Sequence, residues 1–530
     1  MSGKNLYRLG FILLLLIALM AACSGIENNS DNEVSTNNGG NDGADKDITI
    51  GVSDNFISMD PHDSNDTLGY SAQKGMMEGL VGFDKEMEVV PRLAEDWESS
   101  DDAKEFTFTL RDDVEFHDGE PFNAEAVKVN MDRLKDPDNN LKRHSMAAVI
   151  DEVEVLDEYE VKFILKEPFG AMINNFAHPS MMMHSPKSLE EDDDVGLHPI
   201  GTGPFEFDEW EQGDHLTMKK NDNYWREDYP KVDSVTFKPV PENGSRVAML
   251  QAGEADFIYP VPTEQEEKLK DEDGIEVNFE ESIVTQYVSM NTRKEPFDQK
   301  EVRQAVNYAI DQDAFIEVVQ NGHGTPMDSI VAPKVQFYEA QTPYDYDPEK
   351  AKELLKEAGY EDGFEAKIWS GNTSDAIKAA EFIQQQLSEV NIDLDVTSME
   401  SGTLSDSLWD VEDPDDAEVD MYYGGWSSST GDADWGLRPL IGGEENFPPA
   451  SYNVAFFDND EVNADIEKAL GTADSDERAE AYENAQEVIW EEAPWGFLAL
   501  APTKAGKKDN LEGIYLLPDN SLSFEEIEVK

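Results

Sequence analysis

Residues 422–437 read YYGGWSSSTGDADWGL, with four aromatics, four glycines, a run of hydroxyls and two aspartates in sixteen positions. Glycines let a backbone approach a partner closely, aromatics offer flat apolar faces, and Ser, Thr and Asp offer hydrogen bonds. No helical or strand period runs through the stretch, so it reads as an irregular loop. Other chemistry-bearing residues are dispersed. His62, His117, His144, His178, His184, His198, His215 and His323 form no His-Glu-x-x-His pair and no short ligand cluster. His178 and His184 flank HPSMMMH, whose spacing fits no common metal pattern, so Met181–Met183 read as core or pocket filling and no metal site is expected. His117-Asp118-Gly119 reads as a tight turn. No Gly-x-Ser-x-Gly elbow, phosphate loop or dinucleotide fingerprint is present, and the only cysteine is Cys23. Catalysis therefore lacks a positioned nucleophile, base or metal, and no cofactor is implied.

These residues need elements to hold them. Glu105–Leu110 (EFTFTL) alternates as a strand, with Phe106, Phe108 and Leu110 on one face. Val153 to Leu165 predicts a hairpin turning near Asp157-Glu158. Asp347-Pro348-Glu349 caps a helix whose buried stripe is Ala351, Leu354, Leu355 and Ala358, with Gly359 ending it. A second helix places Val302, Ala305, Val306, Ala309 and Ile310 on one face. A third carries Ala479, Tyr482, Ile489 and Trp490 and stops at Pro494. The acidic stretches 190–194 and 410–416 read as exposed loops. Strands and helices mixed without a tandem repeat predict α/β domains with mixed sheets.

The 530 residues exceed what one core usually serves, so two to four domains are expected. Acidic residues number 115 against 41 basic ones, a formal net charge of −74. Such a surface repels nucleic acid and anionic headgroups, and it fits a solvated shell suited to a saline or alkaline habitat. At the N-terminus, Lys4 and Arg8 precede an unbroken apolar run from Phe11 to Ala22, too short to span a bilayer but suited to a signal peptide. It ends in Met20-Ala21-Ala22-Cys23, which resembles a bacterial lipobox. Residues 1–23 thus read as a lipoprotein signal ending at a lipidated Cys23, and residues 24–47, nearly all Asn, Asp, Gly and Ser at first, as a disordered tether. The chain is expected outside the cytoplasm, anchored to the outer face of the cell membrane.

Several blocks resemble one family, the extracellular solute-binding proteins of peptide-type ABC importers (family 5). The most specific is LAEDWESSDDAKEFTFTLRDDVEFHDGEPFNAEAVKVNMDRL, residues 93–134. Residues 199–225, 291–311 and 346–360 supply further blocks, and the 422–437 stretch falls at another family position. Within the family, DPHDSNDT (60–67), LKRHSM (141–146), RVAMLQAGEADF (246–257), GWSSSTGDADW and PDNSLSFEE resemble the glutathione-binding branch. One departure stands out. Dipeptide and oligopeptide binders place an aspartate three residues after the loop's Gly-Trp, where it meets the peptide's amino group; here that position is Ser429.

The resemblance implies an α/β, two-lobed clamp with mixed sheets and an extra third domain. Residues 48–88, 198–293 and 500–530 would form a discontinuous first lobe, 89–197 the extra domain and 294–499 the second lobe. It implies a monomeric receptor, not an enzyme, that captures glutathione or a related peptide by cleft closure and passes it to an ABC permease with its ATPase subunits. A broad di- or oligopeptide, nickel-chelate or haem receptor is the alternative, and a secreted hydrolase a more distant one. The ligand-contacting set it implies is Asp66, Thr67, Arg143, Trp426, Ser428, Ser429, Thr430, Asp432, Asp434, Trp435, Arg438 and Asn453. In that set Arg143 and Arg438 are the candidates for ligand carboxylates, Asp432 or Asp434 for the ammonium, and Trp426 and Trp435 for the pocket walls.

Overall fold

Two long antiparallel strands, Ile275–Met290 and Trp495–Lys508, run through the centre of the molecule and carry its architecture. The computed structural model describes residues 46–530 apart from 65, 192, 193 and 412, so the expected signal segment, Cys23 and almost all of the tether lie outside the described residues. The two strands sit in the middle of an eleven-stranded mixed sheet. On one side the order continues through Met421–Ser427, Phe364–Gly371 and Ile392–Met399, the last two parallel to each other. On the other it runs through Phe257–Tyr259, Asp47–Val52, Ser234–Pro239, His215–Lys220 and Phe205–Glu211.

The long strands belong to both wings in turn. Ile275–Glu280 pair with Thr503–Lys508 beside the first wing, and Val284–Ser289 pair with Trp495–Ala501 beside the second. The register shifts between Glu280 and Val284, where the Ser282 hydroxyl donates to the Ala501 carbonyl. A bulge at that point bends and twists the ladder, which is how one pair of strands can serve two differently oriented wings.

A separate four-stranded antiparallel sheet, Ala94–Ser99, Glu105–Leu110, Glu160–Leu165 and Ile150–Asp157 in spatial order, carries the expected hairpin. Phe106 and Phe108 point inward onto Phe163 and Phe176, with Phe108 and Phe176 ring centroids 5.1 Å apart at 82°. The His117-Asp118-Gly119 turn is present, with Gly119 at φ +82 and its N–H donating to the Phe116 carbonyl. Met181, Met182 and Met183 are all buried.

The predicted helices form at Lys300–Ala309, Pro348–Glu357 and Ser475–Glu492. Asp347 accepts from the Lys350 N–H, Ala351, Leu354 and Leu355 are buried, and Gly359 follows at φ +89. In the Ser475–Glu492 helix the buried stripe is Arg478, Ala481, Tyr482, Ala485, Gln486, Ile489 and Trp490. Ala479 is exposed although the helical repeat brings it onto the side of Gln486 and Trp490, because it stands near the N-terminal end of the helix, among the exposed residues of its first turns. Glu190 and Glu191 close a short helix, Pro186–Glu191, rather than lying in a loop.

Residues 422–437 are not an irregular loop throughout. They are a strand to Ser427, a turn, and then the helix Ala433–Ile441. Met421 to Ser427 pair residue by residue with Val284 to Met290, so cross-strand hydrogen bonds supply the order that side-chain alternation does not announce. A Cβ on Gly425 would stand 2.8 Å from the Thr285 carbonyl oxygen, which explains a glycine inside a central strand.

Candidate functional site

The turn between Ser427 and Ala433 is held by its own polar groups. Gly431 N–H donates to the Ser428 carbonyl at 2.7 Å, with Gly431 at φ +68 and a Cβ there meeting the Phe83 ring at 3.1 Å. Asn174 Nδ2 donates to the Thr430 carbonyl at 3.0 Å. Asp432 caps the following helix by accepting from the Asp434 N–H at 2.9 Å. Its carboxylate also receives both contacts of Arg478 Nη2, at 2.9 and 2.8 Å, and the two side chains are 0% and 5% exposed. Burial works against the Arg478 charge, but the Asp432 carboxylate outweighs it and the guanidinium is held above its ordinary value. Asp434 is claimed in the same way: Arg438 Nε and Nη2 donate to its two oxygens at 2.8 and 2.7 Å.

Neither acid therefore stands open for a ligand ammonium, and Arg438 does not stand open for a carboxylate; each already has a charged partner from this chain. Trp426 and Trp435 lie together, with centroids 5.9 Å apart and Trp426 Nε1 donating to the Trp435 carbonyl at 2.7 Å. Asn453 is wholly buried and exchanges hydrogen bonds with the Phe457 backbone. Ser428 and Thr430 are buried, whereas Ser429 is half-buried and makes no hydrogen bond among the described residues.

Asp66, Thr67 and Arg143 form a second group. Asp66 caps the helix Thr67–Met76 by accepting from the Leu68 and Gly69 N–H groups, and burial raises its carboxyl pKa. Arg143 Nε donates to the Ser64 carbonyl at 2.9 Å and lies 2.6 Å from the Tyr70 hydroxyl, so it ties the start of this helix to the 141–147 segment.

A cavity of about 800 Å³ opens between the two wings of the large sheet. That volume lies in the range of about 300–1,000 Å³ typical of small-molecule sites. Thr67, Asn243 and Tyr259 face it from the first wing, and Gln320, Thr373 and Tyr423 from the second. Of the sequence-derived candidates, Thr67 alone lines it. Its charged lining consists of Arg246, Lys378 and Lys504 against Glu264 and Asp375. Cations thus outnumber acids by three to two here, in a chain with 115 acids and 41 bases. Among the described residues the one cluster with metal-ligand spacing is elsewhere, Glu211, Asp214 and His215 at the exposed end of a hairpin.

Sequence reasoning missed Arg478, Lys378 and Lys504. A signal for Lys504 was available: WGFLALAPTKAGKK, residues 495–508, holds three lysines and no acid, an unusual run on so acidic a chain.

This architecture, two wings joined by crossing strands with a cavity between them, is that of a two-lobed binding protein. The profile of bacterial extracellular solute-binding proteins, family 5 Middle, matches residues 88–447, and the chain belongs to that family. Its members are extracytoplasmic substrate-binding components of ABC importers rather than enzymes. Among relatives, the glutathione-binding protein GsiB of Salmonella typhi is 43% identical over 487 residues, 92% of this chain and 95% of that protein. The protein of the same name in Escherichia coli O157:H7 is 41% identical over 531 residues, with both chains covered in full. Among solved structures, the periplasmic binding protein DppA of Helicobacter pylori, in complex with the peptide STSA, is 27% identical with a TM-score of 0.76, covering 91% of this chain and 98% of its own. The dipeptide-binding protein of Pseudoalteromonas sp. SM9913, in complex with Met-Leu, is 27% identical with a TM-score of 0.77, covering 91% and 100%. No helix among the described residues is long and apolar enough to cross a membrane.

Proposed function

We propose that this protein is the receptor of an ABC importer that takes up glutathione or a related small anionic peptide. The observation that carries the reading is the 41–43% identity to glutathione-binding proteins across nearly the whole of both chains. The cavity adds physical support. Near neutral pH glutathione bears two carboxylates and one ammonium, and a chain at −74 attracts such an anion only where local positive charge exceeds negative. The lining of Arg246, Lys378 and Lys504 against Glu264 and Asp375 meets that requirement. Thr67 is the member of the implied contact set that we retain for the ligand, because it faces the cavity.

In this reading ligand enters between the lobes, the wings close about the 280–284 bulge, and the loaded monomer docks on a membrane permease with its ATPase subunits. Cys23 carries the lipid that keeps the receptor at the outer face of the membrane, and the tether read at 24–47, whose last residue instead opens the strand Asp47–Val52, gives it reach. Cys23→Ala is expected to release the protein into the soluble fraction; retention with the membrane overturns the anchor.

Calorimetric titration with reduced and oxidised glutathione, Met-Leu and a nickel–histidine chelate tests the ligand. Glutathione is expected to bind most tightly. The peptides held by the two solved neighbours favour a second reading, a general dipeptide or oligopeptide receptor. Tight Met-Leu binding with none for glutathione establishes that reading in place of the first.

A further inference from the structure

We infer that Lys378 and Lys504, from opposite wings, form a carboxylate clamp across the cleft, a site for an α-carboxylate of a small zwitterionic peptide. This inference rests on the proposed peptide-receptor reading and assigns the ligand's anionic end.

Lys504 sits in the Trp495–Lys508 strand past the crossing point, where the strand pairs with the first wing. Its neighbours on that strand are both neutralised: Lys507 Nζ lies 3.2 Å from Glu276 and Lys508 Nζ 2.7 Å from Asp256. Lys504 differs. Its Nζ donates to the Thr263 hydroxyl at 2.7 Å, and it has no carboxylate partner among the described residues. Lys378 stands in the Ser374–Ser388 helix of the second wing, exposed, with no ion pair or hydrogen bond among the described residues. Both side chains line the same cavity.

The two ammonium groups also sense each other. Burial pushes Lys504 below its ordinary pKa; Asp375 and Glu266 pull it back up, and Lys378 repels it downward. Two unclaimed like charges facing one cavity are unfavourable until an anion lies between them, and a carboxylate with two oxygens can serve both at once.

Arg246 deepens the positive potential without touching the ligand. It is fully buried and its guanidinium is spent on the Val240 and Pro260 carbonyls and the Asn243 side chain, with no carboxylate bonded. Asp375, three residues before Lys378 on the same helix face, lines the cavity too and is placed to receive an ammonium. Carboxylate and ammonium receptors then stand side by side, which selects a zwitterion over a simple anion.

The test is calorimetry on the full mature chain with glutathione and its diethyl ester, for the wild type, Lys378→Gln, Lys504→Gln and the double variant, with Lys504→Arg as the conservative control. Each single Gln variant is expected to weaken glutathione by at least about tenfold, as loss of a charge-assisted contact does. The double variant is expected to lose less than the product of the two, because one carboxylate is shared. The ester should bind the wild type as weakly as glutathione binds the double variant, and Lys504→Arg should keep most of the affinity. Unchanged glutathione affinity in both Gln variants, with unfolding midpoints like wild type, overturns the clamp while leaving the receptor reading intact. Should the wild type ignore glutathione but bind Met-Leu, the glutathione reading falls, and the same variants with Met-Leu and its C-terminal amide decide the clamp by the same two results.

Discussion

The turn at 428–438 and the cleft wall around Lys504 are made from the same residue types and end in opposite electrostatic states. In the turn every acid has a cation: Asp432 holds Arg478 and Asp434 holds Arg438. At the cleft wall Lys378 and Lys504 have no carboxylate partner among the described residues, although acids outnumber bases across the chain by 115 to 41. The turn falls at a family position, but its charges are internal to the fold. An unclaimed cation on so acidic a protein is the more informative feature, since any structural demand for a partner had an ample supply.

The sharpest way to break this contrast is to remove one half of the buried pair. Asp432→Ala is expected to destabilise the fold by about 3–5 kcal/mol, because it strands the buried Arg478 guanidinium, and it also removes a helix cap. Urea unfolding measures it; a loss below about 1 kcal/mol would show that the pair is not what holds the turn.

A third polar cluster extends the paired side of the comparison and gives it a pH signature. Arg133 Nη1 donates to His62 Nδ1 at 2.7 Å, while His62 Nε2 is 3.0 Å from the Met182 carbonyl, so the ring is neutral with its proton on Nε2. Burial lowers the His62 pKa to about 3, with Asp60 opposing and His184 and Arg133 adding to the fall. The folded state therefore refuses a proton that the unfolded state accepts below its ordinary 6.5. Stability is full above pH 6.5 and falls as pH drops from there towards 3. At pH 5 the loss from this group is about 2 kcal/mol. His62→Gln should flatten the dependence between pH 7 and 5, and an unchanged slope would assign the acid sensitivity elsewhere.

The smallest effect sharpens the contrast most. Asp434→Asn leaves the half-exposed Arg438 without its bidentate partner and should cost about 1.5 kcal/mol. Ligand affinity should stay within about twofold, since the acid serves the fold. A collapse of affinity without a comparable loss of stability would restore Asp434 as the receiver of the ligand's ammonium and undo the contrast.

Much of the fold was legible locally. The Asp347-Pro348 cap, the Ala351-Leu354-Leu355 stripe and the EFTFTL alternation each state their element within a dozen residues, because capping and periodic burial are short-range properties. The Met421–Ser427 strand was not legible: its two glycines and three aromatics have no period, and its order comes from pairing with Val284–Met290 some 130 residues away. The Arg478 role was hidden for the same reason, since an arginine on an apolar stripe reveals its purpose only when its partner, 46 residues earlier, is in place.

The sequence by itself determined the family, the mixed α/β architecture and the strongly acidic surface, for these follow from blocks of residues, local periodicity and composition. Only the tertiary structure decided which charges are spent and which stand open. Pairing depends on distances between groups far apart in the chain, and Coulomb attraction at 3 Å in a buried site is blind to sequence order. That is why Asp432, Asp434 and Arg438, conspicuous in the sequence, turned inward on partners of their own, while Lys378 and Lys504, unremarked there, came to face one cavity from two wings.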